Sequence, residues 1–171
     1  VSFYLECKKA GIKPIIGCEV YVAPNSRFEK SSAESEKNYN HLVLLCKNEV
    51  GYKNLIYLVS MGYTEGFFSK PRIDMELLRS HSEGLIALSA CLAGKIPTLL
   101  LGGRYDDALE YALEMKNIFG RENFYIEIQN HGINEQKQIL PQLVKIAREA
   151  DLELVATNDA HYLRRPDAKV Q

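Results

Sequence analysis

From about residue 48 onward the chain alternates between two patterns. In one, apolar residues recur every three or four positions; the other is a short apolar run rich in branched side chains. Helix and strand signals in alternation imply parallel strands joined by crossover helices, because a parallel partner is reached only through a connection long enough to return along the sheet. An α/β domain is therefore expected. Periodicity does not decide whether its sheet is open or closed into a barrel.

The individual elements follow from local chemistry. Residues 3–10 read as the last turns of a helix that Gly11 stops, and 15–22 as a strand opened by Pro14. Residues 24–40 are polar and mixed in charge, which predicts a long mobile surface loop, and His41 to Cys46 a second strand. Asn48 can cap the next helix, with Tyr52, Leu55, Ile56, Val59 and Tyr63 on one buried stripe. A turn-rich stretch around Gly66 and Pro71 leads to a short helix from Asp74 to Ser80. A strand over 85–89, a short helix after Pro97 and an amphipathic helix with Ala108, Ala112, Met115 and Phe119 inward come next. Then follow a strand over 124–129, a helix over 134–150 with Ile139, Leu143 and Ala147 inward, and a strand over 152–157.

Composition narrows the class. The 171 residues suit one domain with a sizeable core, and 46% hydrophobic with 25% charged residues excludes a disordered or fibrous chain. Basic and acidic residues number 21 and 22, so the basic excess typical of a phosphate-gripping surface is absent. No apolar run is long enough for a membrane helix. The 4 cysteines (Cys7, Cys18, Cys46, Cys91) are irregularly spaced without a CxxC pair, pointing to reduced thiols in a cytoplasmic protein. The helical pattern begins directly after Val1, which points to a fragment whose natural N-terminus is missing.

Ligands of α/β folds bind at the carboxyl ends of the parallel strands. Those ends carry Cys91 after the 85–89 strand, His131 after the 124–129 strand, and the Asp159/His161 pair after the 152–157 strand. All are common ligand types for zinc and other transition metals. Asp159 and His161 are two apart, so in extended backbone both face one side; alternatively Asp159 caps a turn and His161 packs beside Tyr162. Glu19 lies in an apolar strand, where a carboxylate is costly unless paired or metal-bound. Its other readings are a lysine partner or a solvent-facing place on an edge strand. If the first two strands form an antiparallel hairpin, His41 joins Glu19 at one end; if they are parallel, the pairing fails. Taken alone, Cys91 reads as a buried inert thiol, as do the other three cysteines. His81 reads as a helix C-terminal cap outside the site. Glu127 is either an inward polar residue near the rim or half of a salt bridge. No GxGxxG, P-loop, GxSxG or HExxH motif occurs, and Lys70 with Arg72 and Arg164-Arg165 read as solvated surface.

Five stretches, KKAGIKPIIGCEVYVAP (8–24), HLVLLCKNEVGYKNLIYLVS (41–60), EGLIALSACLAGKIP (83–97), FYIEIQNHGINEQ (124–136) and LVATNDAHYL (154–163), carry a specific resemblance in combination. Together they resemble the PHP (polymerase and histidinol phosphatase) domain of bacterial DNA polymerase III alpha subunits. Only residues 25–40 and the 104–119 helix look generic. The resemblance covers nearly the whole chain, so 1–171 is expected to be one partial PHP domain with a loop insertion at about 24–40. It implies a PHP-type distorted (βα)7 barrel, here lacking its first one or two strands, with a cluster of up to three divalent metal ions, zinc or manganese, at one rim. It further implies Glu19, His41, Cys91, Asp159 and His161 as metal ligands, with His131 a looser match. The family's H-x-H strand and D-H-G-type turn, which supply further ligands, have no counterpart here, and neither do the catalytic aspartates of the polymerase palm.

The resemblance implies a parent DNA-directed DNA polymerase of bacterial chromosome replication, meeting DNA and other replisome subunits in the cytoplasm. The fragment itself is not expected to polymerise; its metal-binding module would give a 3'-5' exonuclease or phosphoesterase activity. Two alternatives stand beside this: a free-standing PHP phosphoesterase acting on a small monoester, and a metal-free scaffold bracing the polymerase.

Overall fold

The computed structural model describes residues 1–30 and 39–170; residues 31–38, inside the expected loop insertion, lie outside the described residues. Helix α1 (Ser2–Lys9) buries none of its residues. Strand β1 (Gly17–Val22) pairs antiparallel with β2 (Asn40–Cys46), setting Tyr21 opposite His41 and Glu19 opposite Val43. Period-two alternation buries Val20, Val22, Leu42 and Leu44 on one face. Glu19, Tyr21 and His41 are thereby left to the other. Of the two arrangements open in the sequence, the hairpin is the one adopted.

Helix α2 (Glu49–Thr64) begins at Asn48, whose side chain accepts the Gly51 N–H at 3.0 Å. After it come the short strands β3 (Phe67–Phe68) and β4 (Lys70–Ile73), helix α3 (Met75–Ser80) and strand β5 (Leu85–Leu88). Helices α4 (Lys95–Leu101) and α5 (Tyr105–Phe119) lead to β6 (Phe124–Ile128), and α6 (Asn134–Glu149) leads to β7 (Glu153–Ala156). A 3-10 turn spans Arg165–Lys169. Among the described residues the sheet has 7 strands in the order β3-β4-β1-β2-β5-β6-β7. β2 runs against both its neighbours, whereas β5, β6 and β7 are mutually parallel. Consequently the start of β2 and the carboxyl ends of β1, β5, β6 and β7 share one rim. The α/β class is as expected; among the described residues the sheet is open, with β3 and β7 at its edges.

Leu44, Leu58, Leu78, Met115, Phe124, Ile126 and Ile146 are fully buried. Each such burial is worth about 1.5–3 kcal/mol. The inward faces of α5 and α6 are those their periodicity gives, with Ile146 added to the second. Helix α2 differs: Tyr52, Ile56 and Tyr63 are exposed, and its buried residues are Gly51, Leu55, Leu58 and Gly62. Glycines let this helix lie against neighbouring backbone, and a Cβ on Gly51 would stand 1.8 Å from the Gly84 carbonyl oxygen.

The polar stretch also departs from the expected loop. Arg27 is buried; its guanidinium donates to Asp74 Oδ2 at 2.9 Å and to Glu65 at 2.6 Å, and its backbone N–H donates to Asp74 at 3.0 Å. Arg72, buried too, donates to the Glu29 carbonyl at 2.6 Å. Residues near 27–29 are thus tied to β4 and α3. Among the described residues no helix is long and apolar enough to cross a membrane.

Candidate metal centre

The rim is built around His41. Its backbone N–H donates to the Ala93 carbonyl at 3.0 Å, and it forms a parallel bridge with Gly94. That bond ties the start of β2 to the turn that follows β5. In this turn Ala90 is left-handed (φ 66), and Gly94 donates its N–H to the Cys91 carbonyl at 2.8 Å. A Cβ on Gly94 would lie 2.1 Å from the Ser89 carbonyl oxygen, so glycine is what allows the chain to fold back and present Cys91.

Three side chains from different elements meet here. His41 Nδ1 lies 2.9 Å from Glu19 Oε1 and 3.8 Å from Cys91 Sγ. One ligand atom from each of the three lies within 4.8 Å of the others. Donors around a tetrahedral zinc, at about 2.0–2.3 Å from the ion, are about 3.3–3.8 Å apart. The histidine–cysteine separation already fits, and the glutamate–histidine contact needs to open by about half an ångström. Carboxylate, imidazole and thiol together form a donor set for zinc or a related transition metal. Burial pushes the Cys91 thiol up; a backbone hydrogen bond at Ala93 opposes this, and the charges of Asp159 and Glu19 reinforce it. Coordination to a cation is what would keep that sulfur ionised.

The remaining candidates lie outside this trio. β7 ends at Ala156, and Asp159 is left-handed (φ 45), so the two-residue alternation of a strand does not extend to the Asp159/His161 pair. His161 Nδ1 instead donates to the Asp159 carbonyl at 2.8 Å, and its ring is exposed. The Asp159 carboxylate is near enough to act electrostatically on Cys91. His131 is exposed at the start of α6, where Gln136 holds it: the His131 N–H donates to Gln136 Oε1 at 2.8 Å and the amide faces Nδ1 at 3.0 Å. His81 stacks on Tyr57 with ring centroids 4.1 Å apart, away from the rim.

Two groups at the rim lie outside the ligand set expected from the sequence. Tyr21 and Tyr39 pack against His41, Tyr39 stacked on it at 6.0 Å, and only the hairpin register brings them there. Behind Cys91, Glu127 is buried in no ion pair of the described residues and is held by Thr157 and Gln129. The shared parity of Glu127 and Gln129 was the available hint; Thr157 joins them through β7 pairing.

Comparison with known proteins gives the family. The model of the PHP domain family matches residues 1–131. The DNA polymerase III subunit alpha of Treponema pallidum is 49% identical over 171 residues, all of this chain and 15% of that protein. That of Borreliella burgdorferi is 50% identical over the same length, also 15% of the protein. That of Thermus aquaticus is 49% identical over 170 residues, 99% of this chain and 14% of the protein. The chain thus spans about 15% of the length of the curated relatives it matches. With three metal-type donors converging on one rim of a mixed α/β sheet and the family model covering most of its length, the chain belongs to the PHP domain family.

Proposed function

We propose that this chain is the PHP region of a bacterial replicative DNA polymerase alpha subunit, a DNA-directed DNA polymerase working in the cytoplasm on DNA with other replisome subunits. In this reading residues 1–171 form one partial PHP domain that holds divalent metal, zinc or manganese, and hydrolyses phosphodiesters from a 3' end. The relatives' names support the polymerase assignment. The observation that carries the metal site is the convergence of Glu19, His41 and Cys91 within 4.8 Å.

Each residue has a distinct task. Glu19 offers a carboxylate donor from β1, facing His41 Nδ1 at 2.9 Å. Cys91 is presented by the Ala90 turn, and His41 is registered to that turn by its backbone bond to Ala93. Asp159, His161 and His131 would be the further ligands in this reading. Divalent ions held by these residues would lower the pKa of a bound water and neutralise charge at the scissile phosphate.

The test is exonuclease activity of the intact protein on single-stranded DNA without nucleotides. Asp159→Ala and His161→Ala are each expected to lower the rate about 10- to 100-fold or more, and His81→Ala to leave it unchanged. Wild-type rates in Asp159→Ala refute the ligand assignment.

A metal-free brace is the second reading. The direct Glu19–His41 contact favours it, since carboxylate and imidazole already satisfy one another. Under that reading chelators leave the melting temperature of the intact protein unchanged. A metal-holding domain loses stability on chelation, because the ion binds only the folded state.

A further inference from the structure

Period-two alternation sets Tyr21 and His41 on the sheet face opposite the buried Val20, Val22, Leu42 and Leu44. Tyr39, two residues before His41, shares its parity. The three half-buried rings form one cluster. Tyr21 meets Tyr39 edge-on with centroids 4.6 Å apart and His41 edge-on at 5.2 Å, while Tyr39 and His41 lie parallel within 4° at 6.0 Å. Lys70, which the sequence presents as solvated surface, is exposed, yet its Nζ stands over the Tyr21 ring, 5.5 Å from the centroid. Strand β4 brings it there, because Arg72, two residues on, is the parallel partner of Tyr21.

The hydrophobic core is filled from the other face, so these rings are not part of it. What they offer is a ligand surface. Aromatic rings take a flat π system, and an ammonium takes an anion. Both stand directly beside the Glu19, His41 and Cys91 donors. A nucleotide carries both features, a flat base joined to a phosphate. A sugar phosphate has no π face and leaves the rings unused. A base inside a duplex is already stacked on its neighbours, so the rings favour an unpaired strand.

We propose that Tyr39 and Tyr21, with Lys70, form the subsite for the terminal nucleotide of a single DNA strand. The base stacks on the tyrosine rings, and Lys70 meets a backbone phosphate. The inference rests on the exonuclease reading and adds to it the groups that hold a strand end beside the metal-type donors. Because every base has a π face, the subsite accepts any sequence.

The test is photocrosslinking of the intact protein, in EDTA so that no strand is cut, to a single-stranded oligonucleotide whose 3'-terminal base is iodouracil. Mass spectrometry of the digest is expected to find that base joined to Tyr39 or Tyr21. A competitor strand with an ordinary 3' nucleotide suppresses the adduct at a concentration about 10-fold lower than the same strand ending in an abasic site. Lys70→Gln takes about 0.7 from the slope of log adduct yield against log salt, the loss of one phosphate contact. A wild-type digest with no adduct on either tyrosine overturns the proposal, and so does an abasic competitor as effective as the base-bearing one. Both results are read on the unaltered protein, so neither depends on a variant folding. An unchanged salt slope in folded Lys70→Gln overturns it equally. The exonuclease reading is judged separately, by 3' digestion with divalent metal: digestion without the adduct sinks the subsite alone, and the adduct without digestion sinks the nuclease alone.

Discussion

Asp74 and Glu127 are both buried carboxylates, and the fold treats them differently. Asp74 faces a full complement: the Arg27 guanidinium and backbone N–H, and the Leu77 N–H at 3.1 Å, where it also caps α3. Glu127 receives only neutral donors on a single oxygen. The first arrangement is a latch; the second leaves Glu127 Oε2 without a donor among the described residues. Arg27→Met keeps the buried aliphatic stem and removes the charge, leaving Asp74 uncompensated; a loss of about 3–5 kcal/mol is expected. Glu76, the exposed partner of Arg27, adds little. Denaturant midpoints of the intact protein measure the loss, and a change under about 1 kcal/mol contradicts the latch. Nothing in the 24–40 composition marks Arg27 as buried, because an arginine in a polar run looks solvated until its distant carboxylates are known.

Among the elements, α2 shows how backbone proximity overrides hydrophobic patterning. Its contact with the Gly84 turn runs through Gly51, and Asn48 caps the helix at that same point. Gly51→Ala raises intrinsic helix propensity by about 1 kcal/mol, yet its Cβ collides with a carbonyl. A net loss of about 1–3 kcal/mol is therefore expected. Thermal melts check it, and a neutral or stabilised variant would mean that the helix is not pressed against that turn. The apolar stripe through Tyr52, Ile56 and Tyr63 misled because large exposed side chains share the period, while glycines carry no hydrophobic signal. β3 and β4 escaped for a related reason: they are 2 and 4 residues long, contain Pro71 and turn at Ser69 with φ 58. The faces of α5 and α6 were legible because packed side chains alone determine them.

For the molecule as a whole, function depends on strand direction. Helix–strand alternation was enough to place Cys91 at a carboxyl-end rim, whereas bringing His41 there needed the antiparallel register that sequence left open. The Asp159/His161 geometry was not legible, since the period-two rule stops where β7 stops. What the fold achieves is the gathering of an oxygen, a nitrogen and a sulfur donor from β1, β2 and the turn after β5. X-ray absorption at the zinc edge of the intact, zinc-loaded protein measures that gathering directly. The account predicts a mixed shell containing one sulfur at about 2.3 Å, lost in Cys91→Ser. A spectrum with no sulfur, or one that Cys91→Ser leaves unchanged, contradicts it.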